Sequence, residues 1–165
     1  MSATATYGHD LAWDSDLRAL QTRVPIDVVR IAKEFGLTVW TQDLPDNVSG
    51  MIKKDADHGG RAGYSIIVNG KHPRVRQRFT VAHEIAHYLL HFEKIGNGLE
   101  DDSPLYRSEL STKDEVEANK LAAKILMPFH LLTREMKSGV RNTQELAERF
   151  GVSPQAMSIR LGLPE

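Results

Sequence analysis

Apolar residues recur at helical spacing through Phe79, Ala82, Ile85, Ala86, Leu89 and Leu90, which predicts one amphipathic helix over Arg78–Phe92. Thr80, or a residue just before it, is the expected N-cap. A second helical stretch covers Thr112–Met127, with Ser111 or Thr112 as N-cap and acidic residues in its first turn. Pro128 interrupts that stretch and opens a further helix to about Lys137. Upstream, Ile26, Val29, Ala32 and Phe35 mark one side of a helix over Pro25–Phe35, with Gly36 as its stop, and a shorter helix is expected over Asp14–Arg23. Three strand-like runs lie between these helices: Leu37–Gln42, Val48–Lys53 and Tyr64–Asn69, the last being the most apolar. A Leu-Pro-Asp-Asn turn and the glycine-rich loop Asp55–Gly63 separate them. Near the end, Thr143–Leu161 reads as helix, Gly-Val-Ser turn, helix. These elements predict an α+β fold, a small mixed sheet packed against helices.

A chain of 165 residues fits one domain, 1–165, and buries about 70% of its unfolded surface. Residues 1–12 read as a mobile leader and 139–165 as a helix-turn-helix-like tail. With 41% hydrophobic and 26% charged residues, the composition is that of a soluble globular protein. The net charge of −1 offers no overall attraction to DNA or to a membrane surface. The absence of cysteine excludes disulfides, thiol catalysis and thiolate metal sites. No apolar run approaches the ~18 residues of a membrane span, and no signal-like amino terminus is present, so a cytoplasmic location is expected.

The chemistry concentrates in His83-Glu84-Ile85-Ala86-His87. Two histidines four apart on a helix share a face, one turn above the other, so both imidazoles reach a single metal ion. Zinc in such a site lowers the pKa of a water to about 7, and Glu84 stands where it can take that proton. A catalytic zinc needs three protein ligands and an open position. His91 lies eight residues beyond His83, about 12 Å along the helix axis. It therefore reads as a packed histidine, or as one supporting a ligand. The metzincin layout is also missing, because it needs Gly at 90 and His at 93, where this chain has Leu90 and Glu93.

The third ligand is expected from the second helix, where Glu115 and Glu117 compete. Glu115 is favoured, because Asn119 follows it by four residues and an amide there can hold a ligand side chain in place. Glu117 lies about 200° around the helix from Glu115.

Together, RQRFTVAHEIAHYLLH (Arg76–His91) and EVEANKLAAKILMP (Glu115–Pro128) resemble the ImmA/IrrE-type metallopeptidases, with their RFTxAHExxHxxLH and ExxANxFAAxLLMP patterns. PIDVVRIAKEFGLTVW, DLPDNVSGMI and YSIIVN extend the likeness from about Pro25 to the end, and Leu121 departs from the usual Phe at a packing position. The resemblance implies a gluzincin-like, zincin-type core in which His83, His87 and Glu115 hold Zn²⁺ and Glu84 is the general base. It also implies a protein substrate, a helix-turn-helix repressor, whose cleavage relieves repression of mobile-element or stress-response genes.

In zincins generally an edge strand beside the metal aligns the substrate, which nominates Ser65, Ile66, Ile67 and Val68 as peptide-binding residues. The segment Leu99–Tyr106 is a candidate cover for the cleft. Lys71–Arg78 is a dense positive patch, read as a loop that enters the metal helix and offers a dock for an acidic stretch of substrate. His91, Tyr88 and His130 are candidates for stabilising an oxyanion. The tail has the layout of a DNA-binding module, yet its second helix carries only Arg160, so packing or substrate docking is favoured over DNA reading. The rival reading is a non-catalytic regulator that binds DNA or a repressor through those helices.

Overall fold

The computed structural model describes residues 12–96 and 110–164. The expected leader, apart from its last residue, and the Leu99–Tyr106 cover lie outside these residues. The described elements are helices α1 (Ala12–Leu20) and α2 (Val28–Glu34), strands β1 (Thr38–Gln42), β2 (Gly50–Lys54) and β3 (Tyr64–Asn69), then helix α3 (Arg74–His91) and a short 3-10 turn at Phe92–Lys94. Helices α4 (Thr112–Leu126), α5 (Phe129–Lys137), α6 (Thr143–Phe150) and α7 (Pro154–Leu161) follow. The fold is α+β: a three-stranded mixed sheet with helices packed against it. No described helix is long and apolar enough to cross a membrane.

Most boundaries follow local chemistry. Asp27 caps α2 by accepting from the Arg30 N–H, and Gly36, at φ +83, sits just past its end. Ser111 caps α4 in a reciprocal capping box with Asp114. The exception is α3, which begins at Arg74 rather than Arg78. The expected Thr80 cap lies inside the helix, and its hydroxyl donates to the Arg76 carbonyl at 2.9 Å. Residues 74–76 are exposed, so no apolar stripe marks that first turn, while Pro73 at φ −56 already has helical φ.

The sheet order is β1-β3-β2, with β1 parallel and β2 antiparallel to β3. Central β3 is buried from Ser65 to Asn69, which explains its continuous apolar run. Ile66 and Val68 of β3 join Ala82, Ile85, Ala86 and Leu89 of α3 in a core that also takes in Ala118, Ala122 and Ile125 of α4. At the end of β3, buried Asn69 organises the segment before β2. Its amide nitrogen lies 3.2, 3.1 and 2.9 Å from the carbonyl oxygens of Leu44, Pro45 and Val48.

The tail packs onto the rest of the domain through Arg78, whose Nε donates to the Gly151 carbonyl at 3.0 Å and whose Nη2 donates to that of Phe150 at 3.2 Å. Gly151 ends α6 in the left-handed region (φ +64), and a Cβ there would meet Arg78 Nε at 2.7 Å. Gly151→Ala is therefore expected to destabilise the fold by at least about 1–2 kcal/mol, the usual cost of a left-handed non-glycine residue, because Arg78 must also shift. Denaturant unfolding measures this, and an unchanged midpoint would contradict it.

Candidate metal centre

Helix α4 runs back along α3, so the start of α4 meets the end of α3. Three side chains from the two helices converge. His83 Nε2 lies 3.1 Å from Glu115 Oε2, and His87 Nε2 lies 3.1 Å from Glu115 Oε1. The imidazole rings stand edge-on to one another, 4.5 Å apart at their centroids and 88° between planes. The far nitrogens are engaged elsewhere. His83 Nδ1 donates to Asn119 Oδ1 at 2.8 Å, and His87 Nδ1 faces His91 Nδ1 at 3.0 Å. Asn119 thus holds the ring of His83 from one turn beyond Glu115.

The donors themselves suit a metal. Two imidazole Nε2 atoms and a carboxylate, all mutually within 4.8 Å, form a mixed nitrogen and oxygen set for a divalent ion. Exposure supports access from one side, since the His87 side chain is wholly buried while that of Glu115 is 40% exposed.

Beside this cluster opens a cleft of ≈ 340 Å³, lined by His83, Glu84 and Asn119, by Phe79, Thr80 and Arg76 of α3, and by residues 47–51. Glu84 forms part of its lining although the residue is only 1% exposed. One lip of the cleft is the segment that Asn69 organises, and Arg76 Nη2 bridges the mouth by donating to Ser49 Oγ at 3.1 Å. The sequence marked Val48–Lys53 as a strand but not its place at the cleft, because Val48 is held there by Asn69 and Met51 by pairing with Ile67.

Several expectations need correction. Ser65, Ile66, Ile67 and Val68 form the middle of the central strand, paired with β1 on one side and β2 on the other. Their backbone groups have no side left for a peptide. The outer strand next to the cleft is β2, and its Met51 lines the cleft. Tyr88 is buried against Tyr64, ring centroids 5.3 Å apart, and is absent from the cleft lining. His130 Nε2 donates to the Gln21 carbonyl at 2.7 Å, in a separate cleft between α1 and α5. His91 lies beyond His87, on the side away from His83. None of these three lines the cleft beside Glu84.

The basic patch divides as well. Lys71 pairs with Asp46 at 2.9 Å, where its ammonium holds the Asp46 carboxyl below the usual carboxylate range. Arg78 is committed to α6, whereas Arg76 lines the cleft. In the tail, Arg160 stacks 3.8 Å over the Phe129 ring and its Nε donates to the Met127 carbonyl at 2.9 Å. The one basic side chain of α7 is thus consumed in packing against α5, which disfavours DNA reading.

A family model described as Peptidase_M78, IrrE N-terminal-like domain, matches residues 32–162. No curated protein matches the chain. Among solved structures, a Mycobacterium tuberculosis transcriptional regulator is similar at a TM-score of 0.62 and 22% identity. The match takes in 94% of this chain but 47% of that one, so this chain spans less than half of that regulator's length. At this identity the likeness is one of fold.

Proposed function

The chain belongs to the Peptidase_M78 family of IrrE N-terminal-like domains, and from that premise we propose that it is a zinc-dependent endopeptidase whose substrate is a helix-turn-helix repressor. The observation that carries the reading is the convergence of His83, His87 and Glu115 beside a cleft that His83 and Glu84 line.

In this reading His83, His87 and Glu115 hold Zn²⁺, which when bound supplies a Lewis acid that acidifies water and polarises a carbonyl at neutral pH. Glu84 takes the proton of the attacking water and delivers it to the leaving amine nitrogen as the carbon–nitrogen bond breaks. Asn119 keeps the His83 ring turned toward Glu115. Substrate lies extended along the cleft between residues 47–51 and α3, where Val48, Met51 and Phe79 supply apolar contact. Arg76, seven residues before His83, offers a positive charge to an acidic residue a few positions from the cleaved bond.

One ground favours a repressor as substrate: the motif resemblance to repressor-cleaving peptidases. The tail fits a docking role better than a DNA-reading one, since Arg160 is spent on Phe129. The test is incubation of the zinc-loaded chain with the repressor encoded beside it. Two fragments are expected, lost on adding a chelator and regained with zinc. An intact repressor would overturn the substrate, and a chain that takes up no zinc would overturn the enzyme.

A further inference from the structure

Beyond the three converging side chains, a second row of polar groups continues along the same helices. His91 Nδ1 lies 3.0 Å from His87 Nδ1, while His91 Nε2 lies 3.0 Å from Glu117 Oε2 and 3.4 Å from Asp114 Oδ1. The His91 and Asp114 side chains are 5% and 8% exposed, and that of Glu117 is 42% exposed. We propose that His91 and Glu117 form a hydrogen-bonded relay that fixes the tautomer of His87 and strengthens its Nε2 as a metal ligand. The proposal rests on the metal-site reading above. In it His91 is a positioning residue that acts only through His87.

The direction of the relay follows from what each group can do. An ionised carboxylate only accepts, so Glu117 requires the proton of His91 to be on Nε2. A neutral imidazole with Nε2–H has a bare Nδ1, which accepts from His87 Nδ1–H. His87 is then left with a bare Nε2, on the side that faces Glu115 and His83. With His91 neutral, the links leave one consistent assignment, and the lone pair ends where a metal needs it. The negative charge of Glu117 polarises both rings toward that end. A ligating histidine commonly donates its other N–H to a carboxylate or carbonyl. Here a second imidazole stands between ligand and carboxylate, carrying the effect one helical turn further from the metal.

The same three side chains, His91, Asp114 and Glu117, have the spacing of a cation site of their own. Asp114 argues against that use. Its Oδ2 accepts from Lys94 Nζ at 2.6 Å and from the Ser111 N–H at 2.9 Å. An ammonium already sits on the cluster, and the carboxylate is committed to capping α4. Asp114 thus anchors the helix start, and Glu117 supplies the charge at the end of the relay.

A double-mutant cycle tests this, with zinc affinity measured by chelator competition on the full chain. Glu117→Gln keeps an accepting oxygen but removes the charge, at a partly exposed position where folding is retained. It is expected to weaken zinc binding about tenfold, the lower end of the effect of an outer partner. In cobalt(II)-substituted protein it should shift the visible absorption bands while leaving apo-protein melting unchanged. In a His91→Gln background the same Glu117→Gln change is expected to cost almost nothing, because the relay is already cut. An equal loss in both backgrounds would mean that Glu117 acts through space, and would overturn the relay. So would an unchanged affinity in the Glu117→Gln single variant, or a second zinc per chain that this variant loses. Should His91→Gln fail to fold, the cobalt spectrum of Glu117→Gln decides alone, and an unshifted spectrum overturns the proposal. A wild-type chain that binds no zinc would bring down the metal-site reading itself. One zinc per chain with affinity indifferent to Glu117 would bring down only the relay.

Discussion

Glu84→Gln is expected to slow peptide-bond cleavage by about 10²–10⁴-fold, the usual contribution of a positioned general base, while zinc content stays at one per chain. The amide has nearly the shape of the carboxylate but cannot accept a proton from water. Because the residue is only 1% exposed, bulk water cannot easily take over its role. Zinc should persist because the ligating atoms belong to His83, His87 and Glu115, which the substitution does not touch. The measurement pairs a cleavage assay with metal analysis of the same sample. Cleavage at the wild-type rate with zinc in place would remove Glu84 from the mechanism. A regulator acting by binding alone predicts no cleavage by either protein and a regulatory effect that Glu84→Gln leaves unchanged.

Glu115→Ala is expected to have the largest effect on metal binding. It removes the carboxylate that lies 3.1 Å from both imidazole nitrogens. The loss of affinity should exceed the roughly 10–100-fold that follows loss of an outer partner, and therefore exceed that of Glu117→Gln. Stability reports it directly. Zinc at 100 times its dissociation constant stabilises a folded protein by about 2.7 kcal/mol, so wild-type protein should melt at a higher temperature with zinc than without. Glu115→Ala should lose most of that difference, with cleavage falling alongside. A larger loss from Glu117 than from Glu115 would reverse the assignment of the third ligand.

These two carboxylates show how far a one-dimensional reading reaches. Their separation around α4 is a property of helix geometry alone, as is the pairing of Glu115 with Asn119 on one face. The contact of Asn119 with His83 at 2.8 Å agrees with that face argument. What helix geometry could not supply was the destination of Glu117. Pointing away from Glu115, it meets His91 rather than the His83 and His87 pair, a contact that only the packing of α4 on α3 decides. The cleft was harder still, since its lip depends on Asn69, more than 20 residues away from the loop it holds.

Strand order gives the clearest failure. The run Tyr64–Asn69 is the most apolar of the three, and its place just before the metal helix nominated it as the strand beside the metal. Its apolarity instead reflects burial between two partners, and the outer place beside the cleft belongs to β2. By itself, then, the sequence determined the helices, the Ser111 cap of α4, the apolar face of α3 and the shared face of His83 and His87. Each of these follows from periodicity and hydrogen bonding within a few residues. Only the tertiary structure decided which strand borders the cleft, where Glu117 ends and that Arg160 is spent on Phe129. Those outcomes depend on which distant segments pack together, and that choice is made by burial of the whole core.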